Sequence, residues 1–170
     1  RDLIVSRGLG DVYKRHVKTY QMYRKDGLET LERDLIDSRI KDYHLGIKMV
    51  RGAYYHAEKK DGHLFTEKHL TDESYNKGIL TIGQNNVNTY TILATHNFDS
   101  VRLGYMYNQY AKRRVFEFAH LMGMQEENYQ GLVDLGQKIN VYIPYGPYRQ
   151  MLPYLTRRLY ENIDMIRYMK

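Results

Sequence analysis

The chain contains no cysteine. Disulfide staples and thiolate metal sites are therefore excluded, and cysteine usage says nothing about redox compartment. Its seven histidines are scattered. Neither His56 with His63 nor His63 with His69 has the i,i+4 spacing of a helical metal pair, so structural or surface roles fit them better. No apolar run approaches the roughly 18 residues that a membrane helix needs. There is no low-complexity tract and no internal repeat. Proline is scarce, and all three prolines lie between Pro144 and Pro153. The chain begins at Arg1 without an apolar signal-peptide core, which is compatible with a longer native chain.

What remains is an ordinary globular composition. The 170 residues are the size of one domain and can bury a sizeable core. The formal charge of +6 suits anionic substrates and makes nucleic acid worth testing as a partner. The cations are spread, however, with only Lys59-Lys60 and Lys112-Arg113-Arg114 as short clusters. No basic stripe is interleaved with stacking aromatics, so nucleic-acid binding is not supported.

Periodicity organises the chain. Residues 1–16 are weakly patterned and stay unassigned, with Leu3-Ile4-Val5 a candidate short strand. Val17 to Tyr23 reads as a strand end. Leu28, Leu31, Leu35 and Ile36 mark an amphipathic helix over 27–40. Leu45 to Val50 reads as a buried strand with one lysine, ending at Arg51-Gly52-Ala53-Tyr54. After a polar loop, Thr71 is the expected cap of a helix over 72–82. A strand at 89–94, a helix at 100–111, a strand from Val115, a short helix at 128–135 and a strand at 139–143 follow, with Val141-Tyr142-Ile143 reading as the end of a buried strand. Pro144, Gly146 and Pro147 then make a turn. Met151, Tyr154, Leu155 and Leu159 predict a last helix.

Short strands alternating with helices imply a parallel sheet with helical crossovers, about five βα units. Two architectures fit: an open doubly wound sheet, or the later part of a (β/α)8 barrel. In either, ligands bind at the carboxyl ends of the strands. The distinctive polar groups all follow strands: Gln21, Arg51-Gly52, Thr95-His96-Asn97, His120 and Tyr142. In the last helix Tyr154, Arg157 and Glu161 share a side, with Arg158 adjacent. Two neighbouring guanidinium groups can grip a carboxylate, with Glu161 holding the fork. Read alone, the same residues are also an exposed i,i+4 pair worth only about 0.3–0.5 kcal/mol.

Several segments together resemble the proline dehydrogenase family, in the wording of its eukaryotic, mitochondrial branch. They are T-Y-Q-M-Y at 19–23, K-M-V-R-G-A-Y at 48–54, T-D-E-S-Y-N at 71–76, A-T-H-N at 94–97 and L-M-G-M at 121–124. Y-I-P-Y-G-P at 142–147 and Y-L-T-R-R-L-Y-E-N at 154–162 complete the set. Any one would be weak, but R-G-A-Y with Y-L-x-R-R-x-x-E-N is highly specific. The likeness covers about 17–165, and 17–170 is expected to be the C-terminal part of the catalytic barrel.

The resemblance implies a partial (β/α)8 TIM-like barrel whose earliest strands precede residue 17. Those strands would carry a substrate-pocket lysine and a flavin-side aspartate, which residues 1–16 do not supply. FAD is the implied cofactor. Gln21 would meet its pyrimidine side and Lys48 its reactive edge. Arg51, Gly52 and Ala53 would lie along it, and Thr95, His96 and Asn97 would contact it. Tyr54, Leu121, Tyr142 and Tyr154 would line the pocket for L-proline. Arg157 and Arg158 would bind the proline carboxylate, oriented by Glu161. The implied reaction moves hydride from proline C5 to flavin N5, gives Δ1-pyrroline-5-carboxylate, and passes electrons to a quinone. The implied location is the matrix side of the mitochondrial inner membrane, with peripheral membrane association and no spanning segment. His120 departs from the family, standing where glutamine is common. The alternative is a catalytically incomplete barrel remnant that acts only in binding or structure.

Overall fold

The computed structural model describes residues 17–52, 58, 62–143, 145–149, 152, 153 and 156. Alternating burial marks the central strands. In Leu45–Val50 (β2) the side chains of Leu45, Ile47 and Met49 are buried, and those between them are half-buried. Phe116–Leu121 (β4) repeats the alternation in full, Thr89–Ala94 (β3) from Thr91 onward, and Lys18–Gln21 (β1) buries Tyr20 alone. Ile139–Tyr142 (β5) completes the sheet. The helices are Gly27–Ile40 (α1), Lys68–Gln84 (α2), Phe98–Tyr110 (α3) and Glu126–Asp134 (α4).

All four strand pairings are parallel, and the spatial order β1-β2-β3-β4-β5 is the sequence order. A doubly wound sheet reverses its strand order at a switch point. No reversal occurs among the described strands, and their topology is that of consecutive units of a (β/α)8 barrel. One face of the sheet packs on the helices. Tyr20, Met22, Ile47, Met49, Leu93, Phe116 and Phe118 meet Leu31, Leu35, Tyr75, Ile79, Ile82, Val101, Tyr129 and Leu132 in one apolar core. Gly104 lets α3 approach closely, since a Cβ there would lie 2.5 Å from Leu93 Cδ1 and 3.2 Å from Phe118.

The α3–β4 turn is held by one side chain. Asn108 Oδ1 accepts from the N–H groups of Val115 and Phe116, each at 3.0 Å. Its Nδ2 donates to the Phe116 carbonyl and to Gln137 Oε1, each at 2.9 Å. All four bonds are at ordinary lengths.

Three sequence expectations are corrected. The second helix begins at Lys68, and Thr71 is a buried residue inside it rather than its cap. A Lys68–Asp72 ion pair of 2.6 Å spans that added first turn. Ile36 is 57% exposed and lies off the buried stripe of α1. Val141, Tyr142 and Ile143 are each about half exposed, not buried, because β5 stands at the edge of the sheet and among the described residues pairs only with β4. The predicted last helix falls partly outside the described residues; Tyr148, Arg149, Leu152, Pro153 and Thr156 are helical.

Candidate active site

The half-buried strand positions point away from the helices. On β2 these are Gly46, Lys48 and Val50. Register carries the same face to Gln21, Ile92, Ala94, Glu117, Ala119, Leu121, Asn140 and Tyr142. Lys48 Nζ lies 5.7 Å from the centre of the Tyr142 ring. β3 and β4 separate these two strands, so a flat sheet would hold their backbones about 14 Å apart. Side chains on such a sheet stand roughly parallel and would not meet. The contact therefore shows that the face is concave, as a barrel interior is. Near the amino ends of the strands the concave face is tied by Glu117. It accepts from Tyr90 Oη at 2.8 Å and Asn140 Nδ2 at 3.1 Å, and pairs with Lys138 at 3.3 Å. Burial works to raise this carboxyl; the bonds from Asn140, Tyr90 and Lys138 overcome it and hold it below the usual range.

At the carboxyl ends the structure gathers the sequence-predicted residues of five successive strands. Gln21 ends β1, Lys48 to Gly52 end β2, Thr95 to Asn97 follow β3, Leu121 ends β4 and Tyr142 ends β5. Leu121 and Tyr142 are register partners. Gln21 Oε1 is buried and has no hydrogen-bond partner among the described residues. An unpaired buried acceptor is costly unless a donor is brought to it. Ala53, Tyr54, Tyr154, Arg157, Arg158 and Glu161 lie outside the described residues.

Gly52 has φ +150°, and a Cβ there would sit 2.3 Å from the Tyr23 ring. Only glycine fits that approach. β1 and β2 go on pairing past their ends, through Met22 N to Val50 O at 2.9 Å and Tyr23 N to Arg51 O at 2.7 Å. Asn97 caps α3, its Oδ1 accepting from Ser100 N at 3.1 Å. Thr95 is buried, and its Oγ1 accepts from Asn97 N at 3.1 Å.

Arg51 is placed differently from Lys48. It has the parity of Leu45, Ile47 and Met49, and its guanidinium turns to the helices. Nε donates to Asp72 at 2.6 Å, one Nη to Thr95 Oγ1 and the other to Ser100 Oγ at 2.8 Å. The guanidinium carbon lies 4.4 Å from the Tyr75 ring centre. Burial works to raise the Asp72 carboxyl, but bonds from Lys68 and Arg51 leave it below the usual carboxylate range.

Sequence reasoning missed Asp72, Tyr75, Ser100 and Tyr129 as supports of this end. The Tyr129 hydroxyl donates to the Thr95 carbonyl. Its ring stacks on His120 at 4.3 Å and meets His96 edge-on at 6.5 Å. Burial pushes its phenol up to about 12. Asp72 and Tyr75 stand in the T-D-E-S-Y-N segment, which was a visible signal without a role. Tyr129 sits on a short helix with no motif around it, and nothing in the sequence marked it.

Consecutive parallel βα units in sequence order define part of a (β/α)8-type barrel, an architecture in which ligands bind at the carboxyl ends of the strands. A family model described as proline dehydrogenase matches residues 7–170. This chain belongs to the proline dehydrogenase family. It is 35% identical over 165 residues to the mitochondrial proline dehydrogenase 1 of Dictyostelium discoideum, covering 87% of this chain and 29% of that protein. It is 33% identical over 170 residues to the hydroxyproline dehydrogenase of Xenopus laevis, covering 87% and 35%. A crystal structure of proline utilization A (PutA) from Bradyrhizobium japonicum superposes with a TM-score of 0.76 at 28% identity, covering 85% of this chain and 16% of that one. The chain thus spans about a third or less of the length of these relatives.

Proposed function

We propose that this chain supplies the carboxyl-end face of a flavin-dependent barrel that oxidises L-proline to Δ1-pyrroline-5-carboxylate. The observation that carries the reading is the Gln21 acceptor. It is buried, unpaired among the described residues, and sits at the end of β1, next to β2, whose Lys48 meets Tyr142. A flavin's pyrimidine ring offers an imide N–H of the kind that acceptor needs, so the residues fit FAD.

FAD, when bound, supplies the hydride acceptor for proline C5. The chain's residues do the rest. Gln21 accepts a hydrogen bond, and Lys48 brings positive charge to the same face. Gly52 keeps the β2 turn free of a side chain. His96 stands at the end of β3, its loop fixed by the Thr95 and Asn97 bonds. Leu121 and Tyr142 pack an apolar ring and exclude water. Arg157 and Arg158 fork the substrate carboxylate, and Glu161 orients them. Tyr54 and Tyr154 close the pocket, and Ala53 lies beside the cofactor. A carboxylate held at two points fixes the ring against the hydride acceptor, the proximity contribution to rate. The same reading places 17–170 in the catalytic barrel domain, leaves 1–16 outside it, sends electrons to a quinone and locates the protein in mitochondria, at the matrix side of the inner membrane.

The test uses the full-length protein. It should bind FAD and reduce a quinone-like dye with L-proline, and Arg158→Met should raise KM for proline by about 100-fold or more, the cost of a lost bidentate pair. Preference for hydroxyproline would move the substrate assignment and keep the chemistry. Protein that binds no flavin and shows no imino-acid-dependent reduction refutes the proposal and favours a non-catalytic barrel.

A further inference from the structure

Resting on that reading of the site, we propose that Arg51 is a positioning residue and not a cofactor ligand. With residues 71–76 it clamps the loop that carries His96.

Each guanidinium nitrogen of Arg51 donates within the chain, to Asp72, Thr95 and Ser100. The Tyr75 ring lies against its plane, so one broad face is closed as well. Its charge is met by Asp72, which also holds Lys68. An arginine recruited to grip a phosphate keeps its fork open; here each of the three nitrogens already donates within the chain, which leaves one further N–H on each Nη.

The partners close a ring across four elements. Arg51 leaves the end of β2. Asp72 and Tyr75 stand on α2, Thr95 follows β3 and Ser100 lies in the first turn of α3. Ser100 is fully buried, and its hydroxyl passes the bond on to Asn76 Oδ1 at 2.6 Å. Thr95 Oγ1 takes both Arg51 and Asn97 N, while the Asn97 side chain caps Ser100 N. His96 therefore lies between two residues fixed through one guanidinium. Three members of the 71–76 segment, Asp72, Tyr75 and Asn76, face this ring, which gives that motif a physical role.

The experiment compares Arg51→Met, Arg51→Lys, Asp72→Asn and Ser100→Ala in the full-length protein, by amide exchange in residues 95–101 without flavin and by FAD affinity. Losing a hydrogen bond to a charged group should speed exchange there roughly tenfold or more in Arg51→Met, Asp72→Asn and Ser100→Ala. FAD affinity should fall in the same variants, and Arg51→Met with Ser100→Ala should be no worse than Arg51→Met alone. Arg51→Lys should fail to rescue, because one ammonium cannot span Asp72, Thr95 and Ser100 together. The proposal is overturned if Arg51→Lys restores FAD affinity while Asp72→Asn and Ser100→Ala leave affinity and exchange unchanged. If Arg51→Met does not fold, the Asp72 and Ser100 variants decide. Wild-type protein that binds no flavin would sink the functional reading alone, since the exchange measurement still decides the clamp.

Discussion

Replacing Asn108 with alanine should cost about 2–3 kcal/mol of folding stability. The side chain makes four hydrogen bonds: two from the Val115 and Phe116 amides, one to the Phe116 carbonyl and one to Gln137. Val115 is 7% and Phe116 0% exposed, so their backbone groups cannot turn to water. Gln137 is half-buried and can be resolvated. Three backbone bonds at about 1 kcal/mol each set the loss, and alanine's better helix propensity returns about 0.5 kcal/mol. Asn108→Asp is the sharper variant. It keeps an acceptor for both amides but sets a carboxylate oxygen against the Phe116 carbonyl. The introduced carboxyl should then have a raised folded-state pKa. Its penalty is present at neutral pH and is lifted as pH falls through that pKa, when the protonated group can donate. Urea unfolding at several pH values reads both effects as midpoint shifts at constant m. An Asn108→Ala midpoint indistinguishable from wild type, or an Asn108→Asp penalty independent of pH, would refute this account of the turn.

Two further outcomes follow from packing and burial. Gly104→Ala should destabilise by up to about 2 kcal/mol, because overpacking against Leu93 and Phe118 outweighs roughly 1 kcal/mol of helix propensity. Gly131→Ala, with nothing within 4 Å of its Cβ, should stabilise α4, so thermal midpoints of the two should move in opposite directions. The buried phenols of Tyr20, Tyr75 and Tyr129 all titrate above their ordinary value, chiefly by desolvation. A raised folded-state pKa gives stability that is whole below about pH 10 and drains as pH rises; for Tyr129, at about 12, the drain amounts to roughly 2–3 kcal/mol. The thermal midpoint should therefore fall steeply above pH 10, and less steeply in Tyr129→Phe.

The regular elements were legible because they obey short periods. The bounds of α1, β2 and β3 follow from leucines at helical spacing and from strict alternation. The residues on the concave face were legible too, since strand parity sends Lys48 one way and Arg51 the other. That parity was present in the K-M-V-R run, and it turns the Arg51 guanidinium to the helices. The start of α2 was missed because an ion pair, not an apolar stripe, supports its first turn. The exposure of β5 was missed because Val141-Tyr142-Ile143 is apolar enough for a buried strand, and edge position belongs to the sheet rather than to the segment. Asn108, Ser100 and Tyr129 act through side-chain hydrogen bonds that reach other elements. Such bonds have no period, so nothing local announces them.

The concave face is tied differently at its two ends. Around Glu117 the ties are directional hydrogen bonds at fixed length. At the carboxyl end, Lys48 meets Tyr142 ring-on, a contact whose energy changes little as the cation slides across the ring. A cation–ring contact fixes the spacing of β2 and β5 less narrowly than hydrogen bonds of set length would, so the four strands can settle their curvature at this end by packing rather than by bond geometry.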